Sequence, residues 1–267
     1  MALDSALIDG KRLPLAEATL PVTDEGVARG DGAFETVGVW GGRPFRPDAH
    51  LARLAASLAA IGLPAADTAV LRREMGELLE GVDGDAALRV YATGSGTRVL
   101  TLTAQPSRLP ARHLVPQPAP WIRPLGTYGP AGAKTMSYMP NMAATRAAQA
   151  AGGDDALLVS LEGVVLEGPT FCVLWVRDGV VHTPAVDLGV VDSVSRRALV
   201  ELAVEAGLDA VEGRWKLDEL AGASEFLVCS SVRPLIAARL VGDLELPDDA
   251  PVRDRLGAAL DARRRGG

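Results

Sequence analysis

The chain has 267 residues and a mass of 27.8 kDa, with 27 basic against 34 acidic side chains and a net charge of −7. So acidic a chain is not expected to bind nucleic acid or an anionic membrane, because both need a basic face, and two cysteines are too few for a disulfide framework or a cysteine-rich zinc site. The N-terminus shows no basic region followed by an apolar run, and nowhere do ~18 uncharged apolar residues follow one another, so a reducing cytoplasm is the expected compartment.

In chain order, residues 5–46 predict short strands and turns, with Asp9-Gly10 and Gly41-Gly42 as hairpin signals. Residues 34–40 have strand character through Thr36, Val37 and Val39. Pro47-Asp48 opens a helix with Asp48 expected as N-cap; Leu51, Leu54, Ala55, Leu58 and Ile61 form its apolar stripe, and Gly62 ends it. A second helix is expected over 68–79, then strands over 86–92 and 98–104 paired about Gly94-Ser95-Gly96. Seven prolines between 106 and 130 make that stretch extended and linker-like. The expected organisation is an N-terminal unit over 1–112, a Pro-rich linker over 113–122 and a C-terminal unit over 123–267. In the second half, helices are expected over 141–151 and 193–206, the latter burying Val194, Ala198, Leu199 and Leu202. Strands are expected over 156–160, 164–167, 173–176, 180–183 and 226–229, with Asp178-Gly179 as a turn. The tail from Asp261, with three consecutive arginines, is expected to fray. Mixed strands and helices of this kind make an α/β (α+β mixed) chain.

Of the 27 basic side chains only Lys11, Lys134 and Lys216 are lysine. Lys11 lies in a polar turn and Lys216 at a charged loop–helix junction, where arginine would serve as well. Lys134 sits in GAKTMSYM, among small and apolar residues, and only lysine offers a primary amine that can deprotonate and attack a carbonyl. The alternative is a lysine that snorkels to solvent. Glu167, before a Gly-Pro turn, reads by itself as a solvated turn residue. Arg53 points away from its helix's apolar stripe and reads as solvent-facing unless another part of the chain covers it. The helix start at Ser193-Val194-Ser195 offers free N–H groups and a positive dipole end to an anion, and Ser230 and Ser231 could add hydroxyls. No metal-ligand spacing, P-loop, dinucleotide fingerprint or nucleophile elbow is present. His50, His113 and His182 have no matched nucleophile, and Cys172 and Cys229 read as packing residues.

Together these segments resemble a family. RGDGAFETVGVWGGRPFRPDAHLARLAASL, GAKTMSYMPNMAATRAA, DDALLVSLEGVVLEGPTFCVLWVRDGVVHTP, DSVSRRALVELA and EFLVCSS are similar, in order, to the segments of the class IV aminotransferases, the fold-type-IV pyridoxal-phosphate enzymes. That family includes branched-chain and D-amino-acid aminotransferases and aminodeoxychorismate lyase. The resemblance implies a two-domain fold like that of D-amino-acid aminotransferase, with pyridoxal 5'-phosphate held between the domains. It implies that Lys134 carries the cofactor as a Schiff base and moves the substrate proton, and that Glu167 pairs with the pyridine nitrogen. It further implies that Arg53, the backbone of Val194 and Ser195, and Ser231 bind the phosphate, with Tyr138 near the phenolic oxygen. Phe34, Thr36, Tyr91 and Arg98 are the substrate-side candidates, and the expected assembly is a homodimer.

This chain departs from the family pattern at three places. Cys172 stands where many members have asparagine, Ser193-Val194-Ser195 replaces Gly-Ile-Thr, and Thr93 or Gly94 stands where relatives often carry a carboxylate-binding arginine, leaving Arg98 as the nearest basic residue. The resemblance implies an aminotransferase acting on an amino acid and a 2-oxo acid. Its alternatives are an aminodeoxychorismate lyase, for which Thr36 speaks, and a non-catalytic relative, for which the departures speak.

Overall fold

The structure is a computed structural model and describes residues 3–105, 112–240 and 249–266. It opens on a hairpin. Asp9 and Gly10 both take left-handed backbone angles (φ 47° and 82°), the requirement of a two-residue turn, and join β1 (Ser5–Ile8) to β2 (Lys11–Pro14). A one-turn helix, α1 (Glu25–Ala28), leads into β3 (Gly32–Trp40), and Gly41-Gly42 turn the chain into β4 (Arg43–Pro44). Helices α2 (Pro47–Ala60) and α3 (Thr68–Leu79) follow, then β5 (Ala86–Thr93) and β6 (Arg98–Ala104). These six strands form one antiparallel sheet in the order β2-β1-β6-β5-β3-β4. The stripe of α2 packs Leu51, Leu54 and Leu58 against Val37, Leu88 and Leu100 of this sheet, together with Leu71, Met75 and Leu78 of α3. Truncating such a leucine to alanine removes about 2–5 kcal/mol.

The start of α2 corrects one expectation. Arg46 (φ 48°), not Asp48, is the N-cap residue, and Pro47 takes the first helical position, where its missing N–H has no partner to lose. Asp48 lies one residue further in and pairs with Arg72 of α3. For α3, Asp67 caps the helix by accepting from the N–H groups of Ala69 and Val70, both at 3.0 Å.

The second sheet is mixed. Its strands are β7 (Arg112–Pro118), β8 (Asp155–Val159), β9 (Cys172–Arg177), β10 (Val180–Pro184), β11 (Ala210–Gly213), β12 (Glu225–Ser230) and β13 (Arg233–Leu240), in the order β11-β10-β9-β12-β13-β7-β8. Residues 112–118 thus form a strand paired in parallel with β8 and β13, where a linker was expected over 113–122. An extended proline-bearing backbone serves either purpose, and only the neighbouring strands decide which. Residues 106–111, with two of the prolines, lie outside the described residues. Residues 164–167 pair with β8 through Leu166 N–H to Leu158 O (2.9 Å) and Leu158 N–H to Glu167 O (2.8 Å), as expected for that strand pair.

Helix α4 (Met139–Ala150) packs beside β7 and β8, and α5 (Val194–Glu205) and α6 (Pro251–Arg264) cover the β9–β12 face. Trp40 and Phe45 of the first sheet's last hairpin join that second core, so the two sheets share apolar packing. The tail does not fray. Arg264 is buried, Arg263 pairs with Glu205, and Arg265 pairs with Asp85 at 2.8 Å. Among the described residues no helix is long and apolar enough to cross a membrane.

Candidate active site

The site lies where the segment after β7 runs back along the first sheet. Ala33 bridges to Thr135, Phe34 N–H donates to Lys134 O (3.1 Å), and Met136 N–H donates to Gly32 O (2.8 Å). Lys134 N–H donates to Ser57 Oγ of α2 (3.0 Å). These bonds lay the segment on β3 and send the Lys134 amine over the Phe34 ring, 4.2 Å from its centroid, and 5.1 Å from that of Tyr138. The side chain lines the cavity. Burial, and then the positive charge of Arg53, lower its pKa from 10.5 to about 8 against the opposing pull of Glu35 and Glu167.

Glu167 faces the same cavity from the second sheet. Its two carboxylate oxygens share the Val191 N–H at 3.3 Å. Burial drives its pKa up from 4.5 to about 7, held back by that N–H and by Lys134, Arg53 and Arg196. Tyr138 is the N-cap residue of α4, with its ring edge-on to Phe34 at 5.3 Å. Burial, and then Glu167, raise its hydroxyl above the usual range.

Arg53 does not face solvent. Nε and Nη2 donate to the two oxygens of Glu35, both at 2.7 Å, and Nη1 donates to Asp192 O at 2.8 Å. Of its five N–H donors, two remain for the cavity. Glu35 also meets His50 Nδ1 at 2.7 Å and has no exposed side-chain surface. Burial by itself would raise the Glu35 carboxyl, but the Arg53 charge and hydrogen bonds, helped by His50, bring it down to about 2. Facing Arg53 is the start of α5. Ser193 caps it, accepting from Arg196 N–H at 3.2 Å, which leaves the N–H groups of Val194 and Ser195 without intrahelical partners. Val194 and Ser195 are themselves buried and do not line the cavity; Ser193, just before them, does.

Arg53, Lys134, Tyr138, Glu167, Ser231, Phe34 and Thr36 line one cavity of about 270 Å³, near the ~300 Å³ lower end of small-molecule sites. A second cavity of about 390 Å³ shares Tyr138, Glu167 and Val191 with it. Tyr91 stands behind Phe34, its strand partner, with the rings stacked at 5.8 Å. Arg98 is not brought to the site. It lies opposite Ala92 on the helix-covered face and pairs with Glu74 (3.1 Å) and Asp9 (3.7 Å). Thr93 is buried and donates to Asp24 Oδ2 at 3.0 Å.

The structure adds three residues that sequence reasoning missed. Arg89, paired with Thr36 across β3–β5, lines the cavity, as does Arg233. The two-residue period of a strand pointed to Arg89, since it shares a face with Tyr91. Glu35 was also marked: a lone carboxylate in an apolar strand demands a buried partner. Which partner depends on how α2 packs, and no spacing in the sequence gives that.

The donor set is coherent: a depressed amine and a raised carboxyl at one end, an arginine, a helix start and a serine turn at the other. It suits a small ligand that carries a carbonyl, a group able to pair with a carboxyl, and a strong anion. Comparison with known proteins agrees. Residues 32–241 match the model of the amino-transferase class IV family. A bifunctional aminodeoxychorismate lyase / D-amino acid transaminase of Mycobacterium tuberculosis is 31% identical over 76% of this chain and 78% of its own. An aminodeoxychorismate lyase of Bacillus subtilis is 28% identical, over 86% and 84%. Among solved structures, a fold IV transaminase from Curtobacterium pusillum has a TM-score of 0.87 at 31% identity, covering 95% and 93%. A hypothetical aminotransferase of M. tuberculosis in its PLP-bound form also has a TM-score of 0.87, at 27% identity over 97% and 98%.

Proposed function

The chain belongs to the class IV aminotransferase family, and on that premise we propose how its residues carry out pyridoxal-phosphate-dependent transfer of an amino group between an amino acid and a 2-oxo acid. The observation that carries this reading is the convergence of Lys134, Glu167, Arg53 and Ser231 on one cavity. When bound, pyridoxal phosphate supplies an electron-withdrawing ring that makes the substrate's Cα proton acidic. Arg53, Ser231 and the first-turn N–H groups of Val194 and Ser195 hold the phosphate. Glu167 would pair with the pyridine nitrogen and hold a proton there. Tyr138 offers its hydroxyl to the phenolic oxygen. Lys134 would carry the cofactor and would take the substrate's Cα proton as a base whose pKa of about 8 lies near neutral pH. Phe34, under the lysine amine, keeps water from that face. Arg89, on the cavity face beside Thr36, holds a substrate carboxylate, the part assigned to Arg98 from the sequence.

In this reading the cofactor lies between an N-terminal lobe on the first sheet and a C-terminal lobe on the second. The enzyme is a homodimer; exposed Val22, Val27, Leu125, Tyr128 and Met139 supply apolar surface for the contact. Two free, buried cysteines suit a reducing cytoplasm.

The test is to mix cofactor-loaded protein with a panel of L- and D-amino acids, follow conversion to the pyridoxamine form, and add 2-oxo acids to reverse it. No conversion with any donor sinks the aminotransferase reading. Thr36 lining the cavity favours one other reading, the lyase, which predicts pyruvate release from aminodeoxychorismate without an acceptor.

A further inference from the structure

Ser230 and Ser231 enter the cavity on the turn between β12 and β13, and that turn is gripped from behind by the C-terminal helix. Arg264 of α6 is 2% exposed. Its Nη2 donates to Ser230 O at 2.7 Å and its Nη1 to Arg233 O at 2.9 Å, the two carbonyls that bracket Ser231 and Val232. Its guanidinium lies 4.5 Å from the Trp40 ring centroid and 3.6 Å from Cys229 Sγ. On its other side the turn rests on β3. A Cβ at Gly38 would come within 1.9 Å of Ser231 O and 2.6 Å of Trp40 Nε1, so only glycine admits the turn this closely.

A buried guanidinium is costly unless its donors are satisfied. Among the described residues the carboxylate within reach, Asp261, is 4.0 Å away and partly exposed. The directional partners of Arg264 are instead the two turn carbonyls and the indole face. Those bonds set the angle at which the turn presents Ser231 to the cavity, and the charge behind the turn adds to the field on an anion held there. We propose that Arg264 is a positioning residue for the phosphate cup: it acts through the Ser230–Arg233 backbone and never touches the ligand. The proposal rests on the phosphate cup described above.

The test titrates apoprotein with pyridoxal phosphate and, separately, with unphosphorylated pyridoxal, for wild type, Arg264→Met and Arg264→Lys, and records each Tm. Wild type prefers the phosphorylated ligand. Arg264→Met weakens pyridoxal phosphate about tenfold or more and pyridoxal less than about twofold. Arg264→Lys, which keeps the charge but not the fork across two carbonyls, falls between. Equal weakening of both ligands with a lowered Tm makes Arg264 merely structural and overturns the proposal, as does an unchanged phosphate preference in Arg264→Met. If Arg264→Met does not fold, Arg264→Lys decides by the same comparison of the two ligands. A wild type with no phosphate preference removes the cup and this proposal together; a preference that survives substitution removes the proposal alone.

Discussion

Replacing Glu35 by glutamine removes a fully buried negative charge and leaves Arg53 without its carboxylate. The carboxyl is lowered from 4.5 to about 2, worth about 3 kcal/mol at 1.36 kcal/mol per pKa unit. Breaking a buried pair by removing one partner costs a similar ~3–5 kcal/mol. A chain of this size loses ~2–4 °C of Tm per kcal/mol, so Glu35→Gln should melt roughly 6–12 °C below wild type at pH 7. The pH dependence has a definite sign. A depressed carboxyl stabilises the fold fully above its unfolded pKa, and that stabilisation is lost as pH falls through the folded value. The gap between wild type and Glu35→Gln therefore narrows as pH falls from about 4.5 toward 2. Thermal or urea melts of apoprotein at pH 7, 5, 4 and 3 measure it. A difference below about 0.5 kcal/mol at pH 7, or a gap that does not change with pH, would refute the view that Glu35 anchors Arg53 electrostatically. Because Arg53 loses its bidentate anchor, pyridoxal phosphate affinity should also fall by tenfold or more.

Other outcomes follow from the same geometry. Lys134→Ala should abolish turnover, and borohydride reduction with peptide mapping should find pyridoxyl on Lys134 in wild type alone. With a Lys134 pKa of about 8, the rate of cofactor capture by apoprotein should climb between pH 7 and 9 with its midpoint near 8; a midpoint above 10 would mean the amine is not buried as described. Glu167→Gln should slow turnover while stabilising apoprotein. A carboxyl raised to about 7 stabilises the fold below pH 4.5 and loses that stabilisation as pH rises through 7, so the gain in Tm should be present at pH 8 and absent at pH 4; equal Tm values at pH 8 would contradict it. Arg89→Ala should raise KM for amino-acid donors about tenfold or more and leave the Kd for pyridoxal phosphate unchanged, whereas Arg98→Ala should change neither.

Much of the fold was legible because local rules acted alone. Asp9-Gly10, Gly41-Gly42 and Asp178-Gly179 mark turns through their backbone freedom, and the α2 stripe follows from periodicity. The failures share one cause. Proline spacing cannot say whether 112–118 spans a gap or fills a sheet. Three arginines at a chain end look solvated until Trp40 and two carbonyls are brought to Arg264. Strand alternation puts Arg89 on the face of Tyr91, but only the packing of α3, whose Glu74 pairs with Arg98, decides which face of the sheet is left to the cavity.

The sequence by itself determined the family, the turns and most helices, and it singled out Lys134, because these depend on residue type, local spacing or the order of short segments. Tertiary structure alone decided what those residues experience. Lys134 is an unusual amine because burial and Arg53 disfavour its charge. Arg53 can face the site because Glu35, eighteen residues earlier, neutralises it from a buried strand. The turn bearing Ser231 is held by an arginine more than thirty residues beyond it. Desolvation and pairing between distant segments set these properties, and both arise only when the two sheets close on each other.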